Sequence, residues 1–274
     1  CGSVAILAAE ALGRFGAERG LFFILVYLYV WWVVDPRLIH HSLGVLTYYA
    51  PFSFHSGWSF LAEHLSRPGG TVEYAARLLT QCYALGWLGA VIITGAACYT
   101  SLAADGLCRR AGRPRGSALR YVPTAVLLVM YGGYSHPLNA LLSLLIALLA
   151  YGLFVRTAPR AVTRRLVWLV IVGGAAYWLA GAGSLLFPVL VAVDELLLGG
   201  SKRFAAGALV VGLAIPGVAV VFSDVSVQAA YAGFLLADPG VGPGKWSYTL
   251  ALYLFFPTLL AGTVRWEAAQ ARGA

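Results

Sequence analysis

The histidines of this chain fall at positions 40, 41, 55, 64 and 136, and carboxylates stand near them at Asp35 and Glu63. Imidazole titrates near neutral pH and ligates metals, while a carboxylate orients it or takes its proton. Brought together by folding, Asp35, His55, Glu63, His64 and His136 would make an acid–base pair or a metal site. The spacing requires neither. His40 and His41 are adjacent, so their side chains diverge in regular structure, and no His-x-x-x-His pair occurs. These five residues are the catalytic candidates, and no metal ligands are assigned. Histidine resting at a headgroup boundary is the plainer alternative. Arg67 and Arg77, in the same region, are candidates for holding a substrate or an anionic headgroup.

A second acidic feature, Asp194-Glu195, interrupts the apolar run LLFPVLVAVDELLLGG. Carboxylates inside a membrane span are costly and by default functional. Proton or ion handling is one use. A snorkelling ion pair with Lys202 and Arg203, a turn or two along the chain, is the structural one. The four cysteines (Cys1, Cys82, Cys98, Cys108) follow no metal spacing and show no disulfide framework. No P-loop, nucleophile elbow or His-Glu-x-x-His motif occurs, and the motifs leave the cofactor unknown.

What must position these residues is a membrane bundle. The 274 residues are 60% hydrophobic and 11% charged, with mean hydropathy +0.80; soluble domains carry about 25% charged residues. The expected fold is all-α integral membrane, a helical bundle of about eight transmembrane helices with an interfacial helix in the first outer loop. The spans are expected at about 20–35, 77–103, 120–134, 137–156, 165–181, 184–200, 204–222 and 247–264. The apolar stretch from Val4 to Phe15 extends the first of these or lies along the interface.

Charge orients the spans. Pooling alternate connections puts 15 of the 19 basic residues on one side, and only Arg37, Arg67, Arg77 and Lys245 on the other. Positive residues favour the cytoplasm. The chain therefore reads as a single transmembrane domain, 1–274, with basic cytoplasmic loops at 104–119 and 156–165 and extracytoplasmic loops at about 36–76 and 223–245. The expected location is the bacterial cytoplasmic (inner) membrane, multi-pass, with both ends of the sequence on the cytoplasmic side. The segment Arg109 to Arg120 is then a topology determinant in contact with anionic headgroups, not a nucleic-acid surface. Expected partners are the lipid bilayer and other membrane subunits, with no nucleic acid.

Within the first outer loop, Trp58, Leu61 and Leu65 share one face of a short helix, with Glu63 and His64 to its sides. Pro68-Gly69-Gly70 ends that helix. Thr71 is placed to cap the next one, which has Glu73 in its first turn and runs on as the second span. The segment RPGGTVEYAARLLTQ, Arg67 to Gln81, resembles an uncharacterised family of bacterial multi-pass membrane proteins. Its Pro-Gly-Gly, tyrosine and Leu-Thr-Gln match at Pro68, Gly69, Gly70, Tyr74, Leu79, Thr80 and Gln81. Members usually carry an acid or glutamine shortly before this motif, where this chain has FHSGW. The resemblance implies the fold and supplies no catalytic residue.

Three functions compete on these residues. The lack of mid-membrane charges and catalytic motifs points to a non-catalytic subunit or scaffold of a larger membrane assembly. Asp35, His55, Glu63 and Arg67 would instead serve a glycosyltransferase-like enzyme using a lipid-linked donor on the extracytoplasmic side. Asp194 and Glu195 would serve a transporter.

Overall fold

The computed structural model describes residues 2–39, 54, 57–110, 118–134, 138–198, 201–223, 225–231 and 246–273, and among these there is helix and no strand. The first helix, α1 (Gly2–Tyr29), continues into a π-helical turn over Val30–Val34. Two shorter helices follow, α2 (Trp58–Leu65) and α3 (Gly70–Gln81), then α4 (Gly86–Arg110) and α5 (Val122–Gly132). The chain continues through α6 (Leu138–Thr157), α7 (Val162–Ala180), α8 (Leu186–Leu197) and α9 (Lys202–Phe222). It closes with α10 (Val227–Tyr231) and α11 (Trp246–Gly273).

Among the described residues, five helical stretches are long and apolar enough to cross a membrane: Gly16–Val34, Gly86–Arg110, Leu138–Thr157, Val162–Leu197 and Lys202–Phe222. Ala118–Gly132 and Tyr248–Gly262 are shorter apolar helices. At about 1.5 Å per residue, the 25 residues of α4 rise roughly 37 Å, enough for the hydrocarbon layer. The chain is an all-α, multi-pass membrane protein.

The stretch Val162–Leu197 holds 36 residues, twice what one crossing needs. It reverses on itself. Gly181 adopts φ 63°, ψ −150°, a region essentially reserved for glycine. A 3-10 turn over Gly181–Leu185 then leads back down into α8. Arg165 at the start of α7 consequently reaches Glu195 near the end of α8. The turn satisfies its own backbone, as a membrane demands. The Tyr177 carbonyl accepts from Gly181 N–H, and the Ala180 carbonyl from the Ser143 hydroxyl on α6 at 3.0 Å. The Trp178 carbonyl accepts from the Gly69 N–H at 2.9 Å.

That last bond explains the Pro-Gly-Gly corner. Gly69 (φ 79°) lies so close to Gly181 that a Cβ on it would sit 3.1 Å from the Gly181 Cα. A Cβ on Gly70 would overlap the His64 carbonyl. The corner is docked onto the α7–α8 reversal, with glycine meeting glycine.

Small residues let the helices approach. Along α4, Gly86, Ala90, Ile93, Ala97, Thr100 and Ala104 form one buried stripe, and Ala147 and Ala208 are fully buried on α6 and α9. Packing of this kind, not a hydrophobic drive, associates helices in lipid. The bundle has two distinct ends. Asp35, Gly69, Gly86 and Gly181 gather at one, the glycine end; Arg19, Asp105, Arg110, Arg165, Asp194 and Glu195 gather at the other, the arginine end.

Several expectations change. The stretch from Val4 to Phe15 is helical and continuous with the first span, since α1 starts at Gly2 and the span begins at Gly16. The expected second span at 77–103 is two helices. α3 stops at Gln81, a 3-10 turn over Cys82–Ala84 and an extended Leu85 redirect the chain, and the spanning helix runs Gly86–Arg110. Thr71 is not the cap of α3; Gly69 holds that position and no side chain bonds there. The apolar face of α2 is turned outward, with Trp58 78% exposed, while His64 on the other side is buried. Exposed indole on a short helix suits a surface met by lipid.

Candidate functional site

Three polar clusters emerge, two at the glycine end and one at the arginine end. The first is built on Asp35. The π-helical turn places the Asp35 N–H on the Val30 carbonyl at 3.0 Å and leaves Asp35 at φ 44°. Pro36 follows, and a residue before proline is kept out of the helical region. Two residues on, Arg37 folds back. Its Nε donates to Asp35 Oδ1 at 2.9 Å and its Nη2 to Oδ2 at 2.9 Å, a bidentate pair. These bonds and the carboxylate charge raise the Arg37 pKa above its ordinary value. Trp31, Trp32 and Trp87 stand around the pair and, with Leu85 and Gly86, line an open cavity of about 490 Å³.

The second cluster is centred on Glu73, in the first turn of α3. Arg67 Nη2 donates to Oε2 at 2.7 Å and Arg77 Nη2 to Oε1 at 2.6 Å. His64, 2% exposed, lies against them. Its Nδ1 is 2.8 Å from the Phe60 carbonyl, which can only accept, so Nδ1 carries the hydrogen. Nε2 lies 3.9 Å from Glu73 Oε1, beyond bonding distance. Phe60 and Tyr74 pack around the imidazole, with ring centroids 4.3 and 6.1 Å away.

The third cluster ties the arginine end. Arg110 grips Asp194 with Nε to Oδ1 at 2.8 Å and Nη2 to Oδ2 at 2.6 Å, joining α4 to α8. Asp105 accepts from Arg19 of α1 at 2.9 Å and from Arg109 one turn on at 2.8 Å. Arg165 of α7 pairs with Glu195 and lies over the rings of Phe154 and Phe204. All three carboxylates are buried. A buried carboxylate is tolerable only with such partners.

The sequence candidates are therefore distributed. Asp35 and His64 each sit in a cluster of their own, and Glu63 is exposed, its carbonyl taking the Ser66 hydroxyl. His40, His41, His55 and His136 lie outside the described residues. Arg67 and Arg77 meet on Glu73. Asp194 and Glu195 pair with Arg110 and Arg165 and not with the expected Lys202 and Arg203; the pairing crosses between helices because α8 returns to the level where α4 ends and α7 begins. Among the described residues no group of three His, Cys, Asp or Glu is placed to hold a metal ion.

Sequence reading missed three elements. Asp105 falls in the expected cytoplasmic loop 104–119 but belongs to α4, where Asp105-x-x-x-Arg109 is a helical ion-pair spacing. Glu73 and Arg77 have the same spacing and form the hub of the second cluster. Arg120, taken as part of a basic loop, is 4% exposed, its guanidinium 4.6 Å over the Tyr121 ring.

No curated protein and no solved structure matches the chain. A model of a family of unknown function, DUF6057, matches residues 12–270, nearly its whole length, and the chain belongs to that family.

Proposed function

We propose that the chain is a non-catalytic subunit or scaffold of a larger assembly in a bacterial cytoplasmic membrane. The arginine end and both ends of the sequence face the cytoplasm in this reading. One observation carries it: the acids that chemistry would need are held by arginine. Asp105, Asp194 and Glu195 are each paired across different helices. A group that must take up and release an ion during turnover is poorly served by a standing arginine partner. A group that fixes helix register is well served. The sorting of 15 of 19 basic residues supports the orientation.

Cross-linking in native membranes followed by purification tests the reading. The expected product is an assembly well above the 29.1 kDa of the chain, with cross-links to other membrane proteins. Recovery of a lone monomer that transports or transfers a substrate by itself refutes it.

A second reading, a glycosyltransferase-like enzyme using a lipid-linked donor, is favoured by the cavity beside Asp35. Unchanged transfer by an Asp35→Asn variant removes it. The transporter reading draws on Asp194 and Glu195, whose arginine partners support structural use instead.

A further inference from the structure

The cavity at the glycine end has a built character. Gly86 forms its floor, and a Cβ there would press on Asp35 Oδ1 at 3.3 Å and Arg37 Nε at 3.4 Å. Gly89, one turn on, admits the approach of Pro36, whose Cβ would lie 2.5 Å from any side chain placed there. Two departures from regular backbone hold the polar edge: the π-helical turn and the left-handed Asp35. Both kinds of departure cluster at ligand sites. The volume, about 490 Å³, lies in the range of small-molecule sites.

The lining indicates the ligand. Asp35 and Arg37 neutralise one another, so neither a second anion nor a cation gains much from the pair. Arg37 spends Nε and Nη2 on Asp35, and its Nη1 has no partner among the described residues. The side chain is 59% exposed. What remains on offer is directed hydrogen bonds to neutral oxygens. Trp31, Trp32 and Trp87 add flat apolar surface, and Trp32 is 71% exposed. A ligand that is apolar on its faces and carries neutral oxygens around its edge satisfies both requirements. A pyranose ring has that form, with C–H bonds on its faces and hydroxyls on its rim.

We propose that this cavity binds a sugar ring. The indoles stand at one end of apolar spanning helices, at headgroup level. A glycolipid or lipid-linked saccharide would therefore be delivered to it by the bilayer, and a free saccharide is the other source. The site goes beyond the scaffold reading and does not rest on it, because binding needs neither transfer nor a partner protein.

The test uses the whole chain purified in a polyoxyethylene detergent, since a maltoside would compete. Native mass spectrometry compares glucosyl diacylglycerol with diacylglycerol, phosphatidylglycerol and phosphatidylethanolamine of the same chains, and with free maltose. The expected result is preferential binding of the glucosyl lipid. Additional binding of maltose shows that the ring alone suffices; failure of maltose shows that the lipid must present it. Trp32→Ala and Trp87→Ala should each weaken binding about tenfold, as truncation of an aromatic anchor does, and Gly86→Leu should abolish it. Trp58→Ala, an exposed indole outside the cavity, should leave it unchanged. Equal binding of diacylglycerol or either phospholipid overturns the proposal, as does an equal loss in Trp58→Ala. Cross-linked partners recovered without sugar binding would remove this proposal and leave the scaffold reading standing.

Discussion

Replacing Gly181 with alanine tests the corner on which the two halves of the bundle meet. At φ 63°, ψ −150° the backbone sits where L-residues are strained, at a cost of about 1–3 kcal/mol. The new Cβ would also lie 3.3 Å from the Gly69 Cα. Gly69 must then shift by a few tenths of an ångström, which lengthens its bond to the Trp178 carbonyl. Weakening that bond in apolar surroundings adds about 1 kcal/mol. The sum is about 2–4 kcal/mol, and each kcal/mol moves the melting temperature by roughly 2–4 °C in chains of 150–250 residues. Gly174→Ala makes the same chemical change seven residues earlier, inside α7, where nothing lies within 4 Å of the added carbon. Alanine there gains roughly 0.5–1 kcal/mol of helix propensity. Thermal unfolding of both variants in one detergent should move the midpoints in opposite directions. Equal shifts, or a stable Gly181→Ala, would refute the account of the reversal.

Two further outcomes follow from the same geometry. Arg110→Ala strands the Asp194 carboxylate, 4% exposed, and should cost about 3 kcal/mol or more; Asp194→Ala added to it should recover most of the loss in a melting assay. Gly70→Ala drives a methyl into the His64 carbonyl and should cut the yield of folded protein more sharply than Gly16→Ala, which meets nothing.

Much of the fold was legible in the sequence. Hydropathy located the apolar helices, and the expected spans 165–181 and 184–200 fall on the two limbs of the 36-residue stretch that turns at Gly181–Leu185. The division between α3 and α4 was hidden, because Cys82-Tyr83-Ala84-Leu85 contains no helix breaker and the turn is imposed by packing: Tyr83 is buried there. The partners of Asp194 were not legible either. Arg110 lies 84 residues away, and nothing local distinguishes it from Arg109, which turns to Asp105 instead. For the sites, the pattern singled out Asp35 and His64 by residue type. The indole walls around Asp35 and the arginines around Glu73 arise from folding, which brings Trp87 beside Trp31 and Trp32, and Arg67 and Arg77 onto Glu73.

The bond from Gly69 to Trp178 also bears on biogenesis. A ribosome delivers the corner about a hundred residues before the strip it will cover. When the later hairpin slides into lipid, the Gly69 N–H is already in place for the Trp178 carbonyl. The early portion of the chain thus supplies a backbone donor to the late one. A fragment begun beyond the corner would lack that donor.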